Sequence, residues 1–220
     1  MKKGTVFIAA GLLMMAAALF LTVYNLWDDH RAGVEAEEVL EQLLPEIETD
    51  PVPKEGRILS RQPETQSETQ HLYENEIEYP DYVLNPGMEM PVKSVDGRDY
   101  VGVISIPAIE RELPVFSEWS YANLATAPCR YSGTAYLGNM VICAHNYSIH
   151  FGSLKNLSYG DAVTFTDVDG NVFEYQVIEI ETVDPYAVEQ MTVGDWDLTL
   201  FTCTLGGATR VTVRCEMIGS

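Results

Sequence analysis

From Pro80 onward the chain is a succession of short β-prone runs cut apart by Gly, Pro, Asn and Asp, and this punctuation leaves few architectures open. Tyr100 to Ile106 alternates until Pro107 breaks it, and Leu113 to Phe116 follows as a second short strand. Asn139 to Cys143 is almost wholly apolar, as expected of a strand covered on both faces. Phe151 to Leu157 has helical spacing with Leu154 and Leu157 inward, closed by Gly160 and Asp161. Ala162 to Thr166 and Val172 to Thr182 flank an Asp169-Gly170 hairpin signal, and Trp196 to Thr202 with Thr209 to Met217 makes the last pair. Seven or eight strands with few helices predict an all-β domain closed, or nearly closed, into a barrel, the arrangement that leaves fewest unpaired edges.

The N-terminus follows different rules. Lys2 and Lys3 precede Val6 to Leu26, an apolar stretch of roughly twenty residues broken by Gly11, Thr22, Tyr24 and Asn25, long enough to span a bilayer. Asp28, Asp29, His30 and Arg31 follow it, where a cleaved signal peptide would carry small residues, so an uncleaved signal anchor is expected. The two lysines favour a cytoplasmic N-terminus, with everything after residue 27 outside the cell.

Residues 28 to 79 are rich in Glu, Gln, Pro, Ser and Thr and read as an acidic stalk. Val34, Val39, Leu40, Leu43, Leu44 and Ile47 suggest a short amphipathic helix within it, which Pro45 would end, and Pro51 to Gln70 reads as a flexible tether. The expected organisation is an anchor over 1–27, a stalk over 28–79 and one globular domain over 80–220, in a chain 46% hydrophobic that can build a real core.

Charge and cysteine spacing exclude several functions. A net charge of −20, from 33 acidic and 13 basic residues, would be repelled by phosphate backbones, so no nucleic-acid partner is expected. Cys129, Cys143, Cys203 and Cys215 contain no C-x-x-C pair and no zinc-ligand spacing, so neither a zinc site nor a thioredoxin-type site is predicted. Asp184, Glu189 and Asp195, with Glu179 and Glu181 nearby, raise the possibility of calcium. They lack EF-hand spacing, a solvated acidic loop is the simpler reading, and no cofactor is expected.

Chemistry concentrates near the C-terminus. Leu198-Thr199-Leu200-Phe201-Thr202-Cys203 is a strand ending in a thiol, and Arg210-Val211-Thr212-Val213-Arg214 opens the next with a guanidinium seven positions on. A thiolate nucleophile beside a fixed positive charge suits covalent acyl transfer, because the guanidinium can both favour the thiolate and donate to the oxyanion formed on an attacked carbonyl. Arg214 is the competing arginine, four residues on and on the same strand face if no bulge intervenes. For the acid and base partner, His145 follows the buried strand that ends Val141-Ile142-Cys143-Ala144. It is preferred to His150, which reads as exposed or capping, and to His30 and His71 in the stalk.

Thr199-Leu200-Phe201-Thr202-Cys203 resembles the T-L-x-T-C signature of sortases, membrane-anchored cysteine transpeptidases of Gram-positive bacteria. Gly138 to His145 resembles the family's histidine strand, Phe151 to Leu157 its following helix, and Arg210 to Arg214 its arginine strand. The resemblance implies an eight-stranded β-barrel in which Cys203 attacks a Thr-Gly type carbonyl in an LPxTG-like sorting motif of a surface protein. His145 would protonate the leaving amine and Arg210 would hold the substrate and its oxyanion. The thioacyl-enzyme would then pass to an amine acceptor, such as a cell-wall precursor or a pilin lysine. No second apolar span follows Met217 and no D-P-aromatic lid motif stands in the stalk, features that argue against the pilin-polymerising type. The competing readings are a cysteine peptidase using water as acceptor with the same residues, and a membrane-tethered barrel that binds a peptide without catalysis.

Overall fold

The apolar run from Val6 and the acidic segment behind it form one uninterrupted helix, α1 (Lys3–Glu48), in the computed structural model, which describes residues 3–48, 57–58 and 77–218. At 1.5 Å per residue α1 is about 69 Å long. Its first half stands clear of the other described residues, with Phe7, Leu13, Met14, Phe20 and Trp27 all exposed, and is long and apolar enough to cross a membrane.

The second half departs from the expected stalk. Ala32, Ala36, Val39, Leu43 and Ile47 recur at helical spacing and are all buried, flanked by the partly covered Leu40 and Leu44, whereas Val34 faces outward. Most of this stripe packs against Tyr100, Val103, Phe116, Leu124, Ala127 and Cys129 of the following domain. Pro45, expected to end the helix, sits inside it. Proline removes one backbone hydrogen bond and clashes with the preceding turn, which costs about 3 kcal/mol, and burial of Leu43 and Ile47 on either side offsets it. The tether expected over Pro51 to Gln70 lies outside the described residues, apart from a two-residue ladder of β1 (Arg57–Ile58) with β2 (Ile77–Glu78).

The remaining elements are α2 (Asp81–Leu84), β3 (Lys93–Val95), β4 (Arg98–Ile106), β5 (Arg111–Phe116), α3 (Tyr121–Leu124), β6 (Cys129–Ser132), β7 (Met140–Ala144), β8 (Ala162–Asp167), β9 (Val172–Val183), α4 (Val188–Thr192), β10 (Leu198–Cys203) and β11 (Arg210–Met217). Eight strands close a barrel in the order β4-β5-β6-β7-β10-β11-β9-β8, with β8 pairing back onto β4 and β3 added as an edge hairpin. The β5–β6 and β7–β10 pairs are parallel and the others antiparallel. At the closing seam a Cβ on Gly102 would lie 2.1 Å from the Thr166 carbonyl oxygen, so the strands approach at a position with no side chain.

Alternation along β7 decides what the site is built on. Met140, Ile142 and Ala144 enter the barrel core with Leu198, Leu200 and Val213, while Val141 and Cys143 point outward and are still covered. The strand is therefore buried on both faces, as its unbroken apolar run implies. Residues 151 to 157 form a single 3-10 turn, Leu154–Asn156, where a longer helix was expected. Phe151, Leu154 and Leu157 are all buried at a spacing of three, which is the repeat of a 3-10 turn and drifts off the face of an α-helix. The Asp169-Gly170 signal is the β8–β9 turn, where the buried Asp167 carboxylate accepts from the backbone N–H groups of Asp169 and Asn171.

Candidate active site

Three strands that neighbour one another in the barrel meet at one rim, where β7 and β10 end and β11 begins. Ala144 pairs with Thr202 across the parallel β7–β10 ladder, so His145 and Cys203 each lie one residue further along adjacent strands. Cys203 pairs directly with Arg210 across the antiparallel β10–β11 ladder. The barrel order thus places the thiol between the imidazole and the guanidinium. The Thr202 hydroxyl, buried, donates to the Ala144 carbonyl oxygen at 2.9 Å and ties the ends of the cysteine and histidine strands together.

All three side chains line one cleft of about 220 Å³. Its floor is Cys143 and Phe201 on the outer face of the barrel with Ala144 at the strand end, and its roof is Asp184, Pro185, Ala187, Val188 and Met191, from the connection that contains α4. One wall is aromatic: Tyr121, Trp119, Tyr131 and Phe201 run edge to face, with centroids 5.2, 6.0 and 5.5 Å apart in turn. A mostly apolar groove with a few convergent polar groups at one end suits an extended peptide whose scissile amide reaches the polar end.

The two arginines separate cleanly. Arg210 is half-buried at the rim and donates to the Gly207 and Thr209 carbonyl oxygens, each at 3.2 Å, leaving it without a carboxylate partner among the described residues. Arg214 is 1% exposed. Its guanidinium donates to Glu181 at 2.9 and 2.8 Å, to the Met191 and Gln190 carbonyl oxygens at 3.2 and 2.5 Å and to the Thr199 hydroxyl at 3.0 Å, and it lies 4.1 Å from the Trp196 ring. The strand does carry a bulge, but it falls between Arg214 and Cys215, so both arginines keep the outer face. Arg214 is occupied in pinning α4 over the groove.

The histidines also divide. His145 is half-buried beside the cleft, and burial pulls its pKa below the usual value while the Asp28 carboxylate opposes the fall. Its imidazole is therefore neutral at pH 7. His150, expected to be exposed or capping, is 0% exposed, with Nε2 3.1 Å from the Thr126 carbonyl oxygen. Burial lowers its pKa to about 4. Leu154 and Phe151 draw this segment under the barrel, and the imidazole goes inside with them. His30 lies exposed on α1, and His71 is outside the described residues.

Of the acidic residues weighed for calcium, Glu181 is engaged by Arg214, and Asp184 accepts from the Tyr186 backbone N–H at 2.8 Å. Among the described residues no group of three or more His, Cys, Asp or Glu side chains stands where it could hold a metal ion. Two features of the site have no local signal in the sequence. One is the aromatic wall, and the other is contact between α1 and the loop after His145, where Asp28 meets a tyrosine 119 positions on.

Comparisons with known proteins agree on the kind of domain. The family model described as Sortase domain matches residues 104–218. The chain is 27% identical over 161 residues to the sortase A of Bacillus anthracis, covering 70% of this chain and 74% of that protein. Among solved structures, the pilus-related sortase C of Group B Streptococcus is 31% identical with a TM-score of 0.50, covering 57% of this chain and 70% of that one. The sortase C1 of GBS Pilus Island 1 is 24% identical with a TM-score of 0.49, covering 55% of this chain and 65% of that one, so this chain spans just under two thirds of that relative's length.

Proposed function

Because the chain belongs to the sortase family of cysteine transpeptidases, we propose that it cleaves an LPxTG-like sorting motif of a surface protein and transfers the acyl group to an amine of a cell-wall precursor or a pilin subunit. The observation that carries this reading is the register of three adjacent strands, with Cys203 opposite Arg210 and one step beyond the Ala144–Thr202 pair that precedes His145.

In this reading the Cys203 sulfur attacks the carbonyl carbon of the motif's Thr-Gly bond, and the thiol proton passes to the neutral imidazole of His145. The carbonyl oxygen gains a negative charge, which the Arg210 guanidinium, without a carboxylate partner among the described residues, stabilises by donating hydrogen bonds. Collapse of the tetrahedral intermediate breaks the C–N bond, and the imidazolium returns its proton to the departing glycine amine. An acceptor amine then attacks the thioester, gives a proton to His145, and expels Cys203, which takes that proton back. Bonds and protons balance over the cycle. The apolar and aromatic walls would hold the leucine and proline of the motif.

In this reading the N-terminus of α1 is cytoplasmic, as the two lysines ahead of the apolar span favour, and the barrel stands on the outer face of the membrane with its substrates. Incubation of the full chain in detergent with a fluorescent LPxTG peptide, with and without an amine acceptor, tests the proposal. Ligation that requires the acceptor and a peptidyl adduct on Cys203 by mass spectrometry are the expected results. Cleavage at the same rate without acceptor would make the protein a peptidase, and no adduct would end the catalytic reading.

A further inference from the structure

Tyr147, two residues beyond His145, is wedged between two imidazoles. Its ring centroid is 5.0 Å from that of His145 and 5.4 Å from that of His150, at interplanar angles of 40° and 43°. Its hydroxyl donates to the Asp28 carboxylate at 2.6 Å. Asp28 is also paired with Arg31 at 2.9 Å, and Arg31 with Glu35 at 2.7 Å. Burial and the Asp28 hydrogen bond push the phenol up to about 12, so it remains a donor throughout the working range.

The contact is one of several along the same stretch. The Asp29 carboxylate accepts from both the backbone N–H and the hydroxyl of Ser148. Gly33 faces Ile149, whose side chain a Cβ there would meet at 3.4 Å, an ordinary van der Waals distance. Glu35 accepts from the Thr126 hydroxyl at 2.9 Å, on the residue whose carbonyl meets His150. The first two turns or so of α1 beyond the apolar span therefore hold the loop that follows the histidine strand, and Asp28 is the member that reaches His145 through one aromatic ring.

We propose that Tyr147, fixed by Asp28, is a positioning residue for the His145 imidazole, making the outer end of the membrane-crossing helix part of the catalytic apparatus. The inference rests on the transpeptidase reading. Its physical basis is orientation: a histidine at a strand end is free to rotate about two bonds, and proton transfer needs one rotamer held. Tyr147 lies against the imidazole in a tilted ring contact from the loop side, and its hydrogen bond to Asp28 stops the tyrosine from turning. The charged and titratable groups around His145 are Asp28 from α1, Tyr147 and His150 from its own loop, Cys203 from β10 and Arg210 from β11.

The experiment uses the full chain in detergent micelles, with wild type, Asp28→Ala, Asp28→Asn, Tyr147→Phe, Tyr147→Ala and Cys203→Ala assayed for peptide ligation across pH 5 to 9. Tyr147→Ala and Asp28→Ala are expected to lower kcat ~10-fold or more with KM within about twofold, and Tyr147→Phe to lose less because the ring stays. Asp28→Asn keeps an acceptor for the phenol but removes the charge, so it should retain most of the rate while the acid limb of the profile moves to lower pH. A purely structural contact would leave that limb in place. Unchanged kcat and unchanged acid limb in all four variants, with Cys203→Ala inactive, would overturn the inference and leave the transpeptidase reading standing. A kcat loss that follows a lower folded fraction at the assay temperature would overturn it too. Activity in Cys203→Ala would instead remove the reading on which it rests.

Discussion

Cys203 and Arg210 are register partners across the β10–β11 ladder, so the thiol and the guanidinium are set side by side by backbone pairing before any side chain chooses a rotamer. Directly opposed residues have Cβ atoms about 5 Å apart, close enough for an arginine to reach an oxyanion forming on a carbonyl that the sulfur attacks. Arg214, four residues along the same face, is inside the protein with its donors taken.

The two arginines should therefore fail in different ways. Arg210→Lys keeps the charge but loses the planar fork, and we expect kcat to fall about 100-fold with the melting temperature little changed. Arg214→Lys cannot satisfy Glu181, Thr199 and two carbonyl oxygens together, so it should cost ~2 kcal/mol of stability and loosen α4 over the groove. Thermal melts and kinetics on both variants check this. Equal melting losses would mean that Arg210 is structural as well.

Thiol chemistry should single out one cysteine of four. Burial pushes the Cys129 and Cys215 thiols up to about 12 and raises Cys143 as well, whereas Cys203 is half-buried and lines the cleft. Native iodoacetamide treatment is expected to add one carboxamidomethyl group, on Cys203, and to abolish ligation in proportion. Peptide mapping reads the site, and labelling of Cys143 at a similar rate would show that the groove floor opens.

The thiol, histidine and arginine were legible in the sequence because each sits at the end of a strand whose own residues announce it. Strand ends fall at predictable places when an alternating or apolar run stops, as it does near Cys203 and Ala144. What periodicity cannot give is which strands become neighbours. Nothing in the spacing states that β7 lies beside β10, and that parallel pairing is what brings His145 to the thiol. Strand periodicity equally does not choose between Arg210 and Arg214, which the family resemblance decided, since both share a face and burial alone separates them. Residues 28 to 48 were legible in part: the helical stripe of Val39, Leu43 and Ile47 could be read, but acidic residues dominate the composition and Ala32 and Ala36 carry little hydrophobic signal, so the docking of this stripe on the barrel could not.

His150 gives the fold a dependence on pH that is separate from catalysis. Its folded pKa of about 4 lies below the ordinary value of 6.5, so between those limits the unfolded chain binds a proton that the folded chain refuses. The contribution is fully present above pH 6.5 and is lost as pH falls toward 4, by about 3 kcal/mol in total. Urea midpoints at pH 7.5 and pH 4.5 should differ accordingly, and His150→Gln should remove most of the difference. A midpoint that falls equally in the variant would assign the acid sensitivity to other groups.

The docked half of α1 makes a prediction about where the folded unit begins. Leu43 is 1% exposed and packs into the cluster that includes Tyr100, Phe116 and Cys129. Truncating a side chain so enclosed removes its transfer energy and leaves a cavity, so Leu43→Ala should cost about 3 kcal/mol, although the residue lies 37 positions before the first residue of the expected barrel domain. A free stalk would make the same substitution silent. Denaturant unfolding of wild type and Leu43→Ala, followed by near-ultraviolet dichroism from the barrel aromatics, separates the two cases, because one transition shared by helix and barrel must move as a whole. If the barrel signal melts at an unchanged midpoint, α1 is an independent tether, and a path from the membrane through Asp28 and Tyr147 to His145 loses its mechanical support.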